Sequence, residues 1–431
     1  MEIDLRNKRV TVLGLGRFGG GIAVARWLTQ QGATVLVTDR EDETSLADSV
    51  KQLDGLPITF RLGEKNQRLS DFTDTDLVVT SPAVKPTSEF LQAAREKGVP
   101  ITTEICLFAE RCPGRVFGIT GTKGKSTTTA LLGKMLASKR PCHVGGNIGR
   151  SLLFDLPRMD ERSNVVLELS SYMLHYLGER RWSPNVAIVT MLGHDHLEWH
   201  GGIDAYMDAK RHITRFQRPG DSIIRRDDDL SRSFETAVGV TVRTYPDTSI
   251  PAFDLLLPGE HNQHNAQAAY LASGLTFDEA QRAVADFRGL AHRLELVHEA
   301  NGIRFFNDSI ATIPEAAIIA CDAFAPGTIV QIVGGALKPG LTWDAMCVHL
   351  GDRCKRVLTI GQIGSDLAAK CDNADYVETL EVAVARAKQL AVPGDVVLLS
   401  PGTASYDQFP NFEHRGNRFA ELARGQSSLP E

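Results

Sequence analysis

The chain has 431 residues, of which 42% are hydrophobic and 23% are charged, a composition typical of soluble globular proteins and sufficient for about three domains of roughly 150 residues each. Its net charge of −6 excludes a general attraction to nucleic acid or to anionic membranes, so neither is expected as a partner. No secretory signal or membrane span is predicted, which favours a cytoplasmic location, and the seven cysteines form no Cys-x-x-Cys pair, which indicates reduced thiols.

The first elements predict a Rossmann-like βαβ unit. An apolar strand over residues 9–13 enters a Gly-x-Gly-x-x-Gly turn at 14–19, a helix follows over 22–31, and a second strand over 34–38 ends at Asp39. Such a turn offers backbone N–H groups to phosphate, and an acid at the end of the second strand binds ribose. These residues alone leave NAD and a uridine diphosphate equally open as ligands.

A third strand, over residues 76–80, ends at Ser81. Because the carboxyl ends of parallel strands meet at one sheet edge, Ser81 is a further candidate for the ligand site, although it could simply form a turn. The first domain is predicted to end near residue 103.

The central third is organised around a phosphate-binding loop. The run Gly-Ile-Thr-Gly-Thr-Lys-Gly-Lys-Ser over residues 118–126 follows an apolar strand and precedes a predicted helix over 127–137. Unpaired N–H groups at the start of that helix can bind a polyphosphate, Lys125 can reach its outer phosphates, and Ser126 can ligate Mg²⁺. The general pattern requires a glycine where Ile119 stands, so a turn that only caps the helix is the alternative.

Polar residues then follow several predicted strands. Asn147 lies in a glycine-rich turn, and Glu168 is the acid of a strand that is otherwise apolar, where a charge is costly unless it is paired or ligates a metal. The run over residues 194–200 is rich in histidine and acid, which favours a metal or phosphate site, with zinc as the alternative to magnesium. Lys210 lies in a predicted helix over 203–216, and nothing local distinguishes it from a solvated lysine.

Taken together, these motifs resemble the Mur ligase family of peptidoglycan synthesis, most closely the members that add D-glutamate to UDP-N-acetylmuramoyl-L-alanine. The matching motifs lie at residues 118–127, 146–149, 167–171, 195–196, 210, 258–266, 289–295, 307–312 and 399–412. The resemblance implies three α/β domains: a Rossmann-like domain over 1–103 for the UDP substrate, a central P-loop ATPase domain with a mostly parallel sheet over 104–294, and a C-terminal Rossmann-like domain over 295–431 for the amino acid.

The resemblance also implies the roles of individual residues, with ATP and two Mg²⁺ ions as cofactors, small-molecule substrates as the only partners, and a monomeric enzyme. The residues expected to contact the UDP substrate are Leu15, Gly16, Arg17, Asp39, Arg40, Ser81, Asn147 and His196. The residues expected to bind ATP are Gly121, Thr122, Lys123, Gly124, Lys125, Ser126, Thr127, Thr128, Asn262, Asn265, Arg293 and Asp308. The expected metal ligands are Ser126, Glu168, His196 and a carbamylated Lys210. The expected catalytic residues are Lys125, Glu168, His196 and Lys210.

In the last third, strands and helices alternate again and a closing helix is predicted over residues 411–424. The resemblance places the acceptor glutamate at Thr312, Lys338, Ser405 and Phe412. From the residues alone, Phe412 could instead belong to the core and Lys338 to an exposed loop.

Three positions depart from the family pattern. Ile310 replaces a lysine found in many relatives, Ala336 replaces an acid, and Lys123 replaces the usual asparagine of the phosphate loop. Losing one charge-assisted hydrogen bond costs about 1.5–3 kcal/mol, enough to change the preferred acceptor without changing the reaction class. L-Glutamate or another amino acid is therefore an alternative acceptor.

Three other functions compete with the ligase. A ligase of the folylpolyglutamate synthase type shares the ATP chemistry but is not expected to carry the N-terminal Rossmann-like unit. An NAD-dependent oxidoreductase with an appended domain leaves Lys125, Ser126 and Glu168 without a role. A nucleotide-binding scaffold without activity does not explain why so many candidate catalytic groups occur together.

Overall fold

The computed structural model describes residues 4–16, 19–193, 197–338 and 341–425. Within these residues three sheets follow one another along the chain, each built mainly of parallel strands and accompanied by helices. The predicted α/β class with three sheet-containing regions is confirmed. No helix in this part of the chain has both the length and the hydrophobicity needed to cross a bilayer.

The first sheet contains five strands among the described residues. They are β1 (Arg9–Leu13), β2 (Thr34–Asp39), β3 (Ile58–Leu62), β4 (Leu77–Thr80) and β5 (Ile101–Thr102), accompanied by α1 (Gly20–Gln30), α2 (Ala47–Lys51), α3 (Ser70–Thr73) and α4 (Glu89–Glu96). The spatial order of the strands is β3-β2-β1-β4-β5, so the chain adds strands on one side of β1 first and then, from β4 on, on its other side. A crevice forms at such a reversal, and the loops that follow β1 and β4 line it.

The second sheet contains six strands in the described chain. They are β6 (Arg115–Thr120), β7 (Cys142–Gly146), β8 (Asn164–Glu168), β9 (Val186–Val189), β10 (Ser222–Arg226) and β11 (Thr241–Tyr245). The helices are α5 (Glu104–Ala109), α6 (Lys125–Ala137), α7 (Ser171–Glu179), α8 (Leu197–His200), α9 (Ile203–Arg215), α10 (Asp229–Arg232), α11 (Glu260–Ser273) and α12 (Phe277–Val284). In the order β11-β10-β9-β6-β8-β7, strand β6 is central, and its register pairs Ile119 with Glu168.

The third sheet also contains six strands within the described ranges. They are β12 (Glu295–Ala300), β13 (Ile303–Asn307), β14 (Ile329–Gly334), β15 (Arg356–Ile360), β16 (Ala374–Glu378) and β17 (Val396–Leu399), with α13 (Pro314–Asp322), α14 (Asp344–Arg353), α15 (Gly364–Lys370), α16 (Leu380–Leu390) and α17 (Phe412–Arg424). The order is β12-β13-β17-β14-β15-β16. Strand β12, which the sequence patterns did not reveal, pairs antiparallel with β13 across Asn301 and Gly302, whose φ angles of +53° and +74° suit a two-residue hairpin turn.

Alternating side chains bury both faces of the third sheet. Ile329 and Val333 of β14 pack into one hydrophobic cluster, whereas Val330 and Ile332 pack into another. Parallel strands covered on both sides are expected to be largely apolar, as β17 is and as β14 is apart from the buried Gln331.

The chain divides into two compact units. One consists of Met1–Pro251 with Asn265–Ala280, and the other of Ala252–His264 with Gln281–Glu431. The first unit holds both N-terminal sheets, and the second holds the third sheet. The domain limits 1–103, 104–294 and 295–431 stay predictions.

Candidate active site

The phosphate loop joins the central strand β6 to helix α6. Gly121 and Gly124 have φ angles of +151° and +88°, in the region that favours glycine. A Cβ atom on Gly121 would lie 1.9 Å from Thr190 Oγ1, and one on Gly124 would lie 2.5 Å from Asn265 Oδ1. Conformation and space therefore both require glycine here, and the loop can present its N–H groups to a polyphosphate.

The position that departs from the general P-loop pattern belongs to the strand. Ile119 is fully buried in β6, and it pairs with Glu168 on one side and with Ile188 on the other. The loop thus begins only at Gly121. A glycine at position 119 would remove a core side chain without contributing to the loop.

The two lysines of the loop differ in their surroundings. Lys125 Nζ donates to the carbonyl oxygens of Gly121 at 3.0 Å and Thr122 at 3.1 Å, so its ammonium group lies over the loop. The side chain of Lys123 is exposed, while its backbone N–H donates to Met191 O. The structure therefore places Lys125 over the loop and leaves the side chain of Lys123 exposed.

The start of α6 also presents hydroxyl groups. Ser126 is buried in its first turn, and Thr127 is partly buried. Thr128 is fully buried, and its Oγ1 lies 3.3 Å from Asn265 Oδ1 of α11. The structure therefore brings Asn265 and the phosphate loop together, as the predicted ATP site requires.

Glu168, at the end of β8, combines burial with an unsatisfied oxygen. Its side chain is 2% exposed, and Oε1 accepts a hydrogen bond of 2.8 Å from Asn147 Nδ2. Oε2 is buried and has no hydrogen-bond partner among the described residues. An unsatisfied buried carboxylate oxygen is costly, and it is the kind of donor that Mg²⁺ prefers. The residues present therefore fit a divalent cation beside the loop.

Lys210 is not a solvated lysine. It is 2% exposed in α9, and its Nζ donates to Gly121 O at 2.8 Å and lies 3.4 Å from Thr120 Oγ1. The same Nζ is 4.8 Å from the centre of the Tyr206 ring, whose hydroxyl lies 2.9 Å from Thr122 Oγ1. One turn of α9 thus carries two buried side chains that contact the phosphate loop.

Some of the predicted residues lie outside the described part of the chain. They are Arg17, His194, Asp195 and His196. Among the residues that the structure does describe, no group of three or more His, Cys, Asp and Glu side chains is arranged to hold a metal ion.

A cavity of about 1240 Å³ opens beside the first sheet. It is lined by the described residues predicted to contact the UDP substrate, namely Leu15, Gly16, Asp39, Arg40, Ser81 and Asn147. The carboxylate of Asp39 accepts from the backbone N–H groups of Gly16 at 3.0 Å and Glu41 at 2.9 Å, so it braces the glycine loop. A Cβ atom on Gly14 would lie 2.9 Å from Ser81 Cβ, which explains the glycine where the loops after β1 and β4 approach each other.

The second unit holds the remaining residues predicted to contact ATP. Asp308 is buried, and its carboxylate accepts from Leu294 N at 3.2 Å and from Ser400 Oγ at 2.8 Å. Arg293 is partly buried. Asn262 is buried, and its side chain donates to Pro258 O at 2.6 Å.

Three segments meet at one edge of the third sheet and carry the residues predicted to bind the acceptor. Gly402 N donates to Ala311 O, and Ala336 N donates to Ala404 O, both at 2.9 Å. The predicted residues on these segments differ in exposure. Ser405 is buried, Thr312 and Phe412 are partly exposed, and Lys338 is exposed.

Arg415, which was not among the predicted residues, holds these segments together. Its side chain is 1% exposed, and it donates from Nε to Ser309 Oγ at 3.0 Å and from Nη2 to Ser309 O at 3.0 Å and Thr403 O at 3.1 Å. Burial lowers its pKa to about 10. A signal was present, because Arg415 falls with Phe419 and Ala423 on the buried stripe of α17.

Comparisons with known proteins cover nearly the whole chain. Family models match for the Mur ligase MurD-like N-terminal domain over residues 8–103, the Mur ligase middle domain over 119–249, and the Mur ligase glutamate ligase domain over 292–402.

Individual relatives agree with these matches. A UDP-N-acetylmuramoylalanine–D-glutamate ligase of Roseiflexus sp. (strain RS-1) is 39% identical over 97% of this chain and 99% of its own length. A ligase of the same name from Koribacter versatilis (strain Ellin345) is 37% identical over 98% of both chains. The crystal structure of MurF ligase from Thermotoga maritima in complex with ADP shares the fold, with a TM-score of 0.56 at 16% identity over 98% of this chain and 99% of that chain. The chain belongs to the Mur ligase family.

Proposed function

We propose that this protein is an ATP-dependent ligase that joins D-glutamate to UDP-N-acetylmuramoyl-L-alanine in peptidoglycan synthesis. The geometric observation that carries the proposal is the phosphate loop with Lys125 over it, the buried Glu168 beside it and the buried Lys210 behind it. The near full-length similarity to two ligases named for this reaction supports the choice of substrates. The family match over residues 8–103 favours it over a folylpolyglutamate synthase type of ligase.

The first step activates the substrate carboxylate. A carboxylate oxygen attacks the γ-phosphorus of ATP, the bond from that phosphorus to the β–γ bridging oxygen breaks, and ADP leaves. Lys125 exchanges its carbonyl acceptors in the loop for phosphate oxygens and neutralises the charge that develops on them. The product is an acyl phosphate, whose phosphate is a far better leaving group than an oxide ion.

The second step forms the amide. The amine nitrogen of D-glutamate attacks the carbonyl carbon, the bond to the phosphate oxygen breaks, and inorganic phosphate leaves while the amine proton passes to solvent. We assign Thr312, Lys338, Ser405 and Phe412 to the amino acid, and Asn262, Asn265, Arg293 and Asp308 to ATP. Arg415 holds the acceptor segments in position through Ser309 and Thr403.

The metal ligands complete the proposed site. Ser126, Glu168, His196 and a carbamylated Lys210 would hold two Mg²⁺ ions, which neutralise charge on the transferring phosphoryl group. The unsatisfied Glu168 Oε2 supports this assignment. Carbamylation would replace the buried ammonium of Lys210 by oxygen donors, and Asn147 would keep Glu168 oriented through its hydrogen bond to Oε1.

Further elements of the proposal are the domain limits predicted above, a monomeric enzyme and a cytoplasmic location, where ATP and nucleotide-linked precursors are available. The cavity beside the first sheet would hold the UDP part of the substrate, with Arg17 as an additional contact. His196 would contact the same substrate from the central domain.

Phosphate release tests the function. The purified protein is incubated with ATP, Mg²⁺ and UDP-N-acetylmuramoyl-L-alanine, and D-glutamate, L-glutamate and other amino acids are supplied in turn. We expect release that depends on D-glutamate, and transfer of ¹⁸O from the labelled substrate carboxylate to the phosphate. Release independent of any amino acid would contradict the ligase, and preferential release with L-glutamate would retain the reaction and change the acceptor.

A further inference from the structure

Glu104, the first residue of α5, lines the cavity beside the first sheet but is not among the residues predicted to contact the substrate. Its Oε1 accepts a hydrogen bond from Ser151 Oγ, and Ser151 lines the same cavity. No lysine, arginine or histidine of the described chain forms an ion pair with this carboxyl group, and burial raises its pKa. A carboxyl group with one neutral partner thus faces the ligand space.

The charges and hydrogen-bonding groups of the cavity lining determine which part of the ligand Glu104 can contact. A diphosphate needs N–H donors or cations, which the backbone of the glycine loop at residues 14–16 and the guanidinium of Arg40 can provide. A carboxyl group would repel it. Glu104 therefore suits an uncharged polar part of the ligand, since a hydroxyl or an amide can hydrogen-bond to a carboxyl group without charge repulsion.

The dimensions support a ligand larger than a nucleotide alone. The volume of about 1240 Å³ exceeds the roughly 300–1,000 Å³ of common small-molecule pockets. Ser151, the partner of Glu104, follows shortly after Asn147 in the segment after β7, and Asn147 contacts Glu168 beside the phosphate loop. Glu104 and Ser151 are thus on the side of the cavity that leads towards the predicted site of phosphoryl transfer, where the sugar rather than the base is expected.

We propose that Glu104 is a specificity-determining residue that hydrogen-bonds to a hydroxyl or acetamido group of the substrate's sugar, and that Ser151 is the positioning residue that fixes its carboxyl group. This inference rests on the proposed function, which supplies a sugar nucleotide as the substrate. It adds recognition of the sugar to a cavity in which the glycine loop, Asp39, Arg40 and Ser81 are predicted to contact the UDP part.

Calorimetric titration of the whole protein with UDP-N-acetylmuramoyl-L-alanine and, separately, with UDP tests the proposal. Glu104→Ala is expected to weaken binding of the sugar nucleotide about ten-fold, the magnitude of one lost hydrogen bond in a partly buried site. UDP binding should change by less than about two-fold, because the lost contact is to the sugar. Glu104→Gln retains a hydrogen-bonding group of equal size and should keep most of the affinity.

Kinetics separate recognition from a structural role. Glu104→Ala should raise KM for the sugar nucleotide and leave kcat and the KM values of ATP and glutamate unchanged. Ser151→Ala should show the same pattern with a smaller effect. Equal losses for UDP and for the sugar nucleotide, or no loss for either, would overturn the proposal.

A second variant covers the case in which Glu104→Ala does not fold, and binding by the wild-type protein separates the role of Glu104 from the proposed function. If Glu104→Ala does not fold, as judged by thermal melting, Glu104→Asp takes its place; its shorter side chain should selectively weaken binding of the sugar nucleotide, and wild-type affinity would reject the contact. Wild-type protein that binds no UDP-N-acetylmuramoyl-L-alanine would count against the proposed function. Normal wild-type binding with an unaffected Glu104→Ala variant would count against the role of Glu104 alone.

Discussion

The phosphate loop and the predicted acceptor region treat charge differently. At the loop, Glu168 and Lys210 are both buried, and each is held by a defined hydrogen bond. In the acceptor region Lys338 is exposed and Ile310 carries no charge, while the buried cation Arg415 directs three donors at protein oxygens. On the proposed assignment, phosphoryl transfer would take place among buried charged groups, whereas amino-acid recognition would depend in part on accessible side chains that can change without disturbing the core.

The largest effect is expected from removing Lys125, the partly buried lysine whose ammonium group lies over the phosphate loop. Lys125→Ala is expected to lower kcat about 10³-fold, because one preorganised cation at the developing phosphate charge is lost. Lys123→Ala is the matched control, since it removes an exposed lysine from the same loop, and its activity should stay within about two-fold of wild type. Steady-state phosphate release measures both. An equal loss of kcat in the two variants would contradict a special role for Lys125 in phosphoryl transfer.

Lys210→Ala should reduce activity about 10²-fold, because it removes the buried group that the proposal assigns to a metal ion. Short carboxylic acids such as acetate or formate should restore part of the activity if a carbamate normally supplies oxygen donors. The same acids should not rescue Lys125→Ala, whose lost function is that of a cation. Rescue of both variants, or of neither, would contradict the carbamate at Lys210.

Arg415→Met should lower the free energy of unfolding by about 3 kcal/mol, because Ser309 and Thr403 would lose charge-assisted hydrogen bonds in a buried site. Arg418→Met, on the same helix, breaks contacts to Glu381 and Glu421 that are partly exposed and should cost less than about 1 kcal/mol. Denaturant titration gives both values. A difference below measurement error between the two variants would show that Arg415 does not hold the acceptor segments together.

The sequence predicted most of the first region and less of the second, for physical reasons. Glycine spacing, strand length and the single acid in an apolar strand are local signals, and they located the phosphate loop and Glu168. Lys210 and Arg415 carry no local signal of comparable strength, because each is defined by the carbonyl groups that surround it after folding. Only the position of Arg415 on the buried stripe of its helix could have indicated it. Strand β12 was missed because its two charged residues and one histidine obscure the alternation expected of a sheet-edge strand.

The smallest effect is expected at Ile310, where a change should alter the acceptor region and leave the phosphate loop unaffected. Ile310 is partly exposed, and its backbone N–H donates to His292 O, so a longer side chain can be accommodated without disturbing the core. Ile310→Lys introduces a cation near the predicted carboxylate contacts and should lower KM for glutamate about five-fold, less than a fully buried charge-assisted bond would give.

Ile310→Leu is the control for this change, because it alters shape without adding charge and should leave KM for glutamate within about two-fold of wild type. Neither variant should change KM for ATP. An equal effect on ATP and glutamate would mean that position 310 acts on the whole reaction rather than on acceptor recognition. A change in KM for D-glutamate with no change in KM for L-glutamate would instead show that the acceptor region discriminates between the two enantiomers through the carboxylate nearest to position 310.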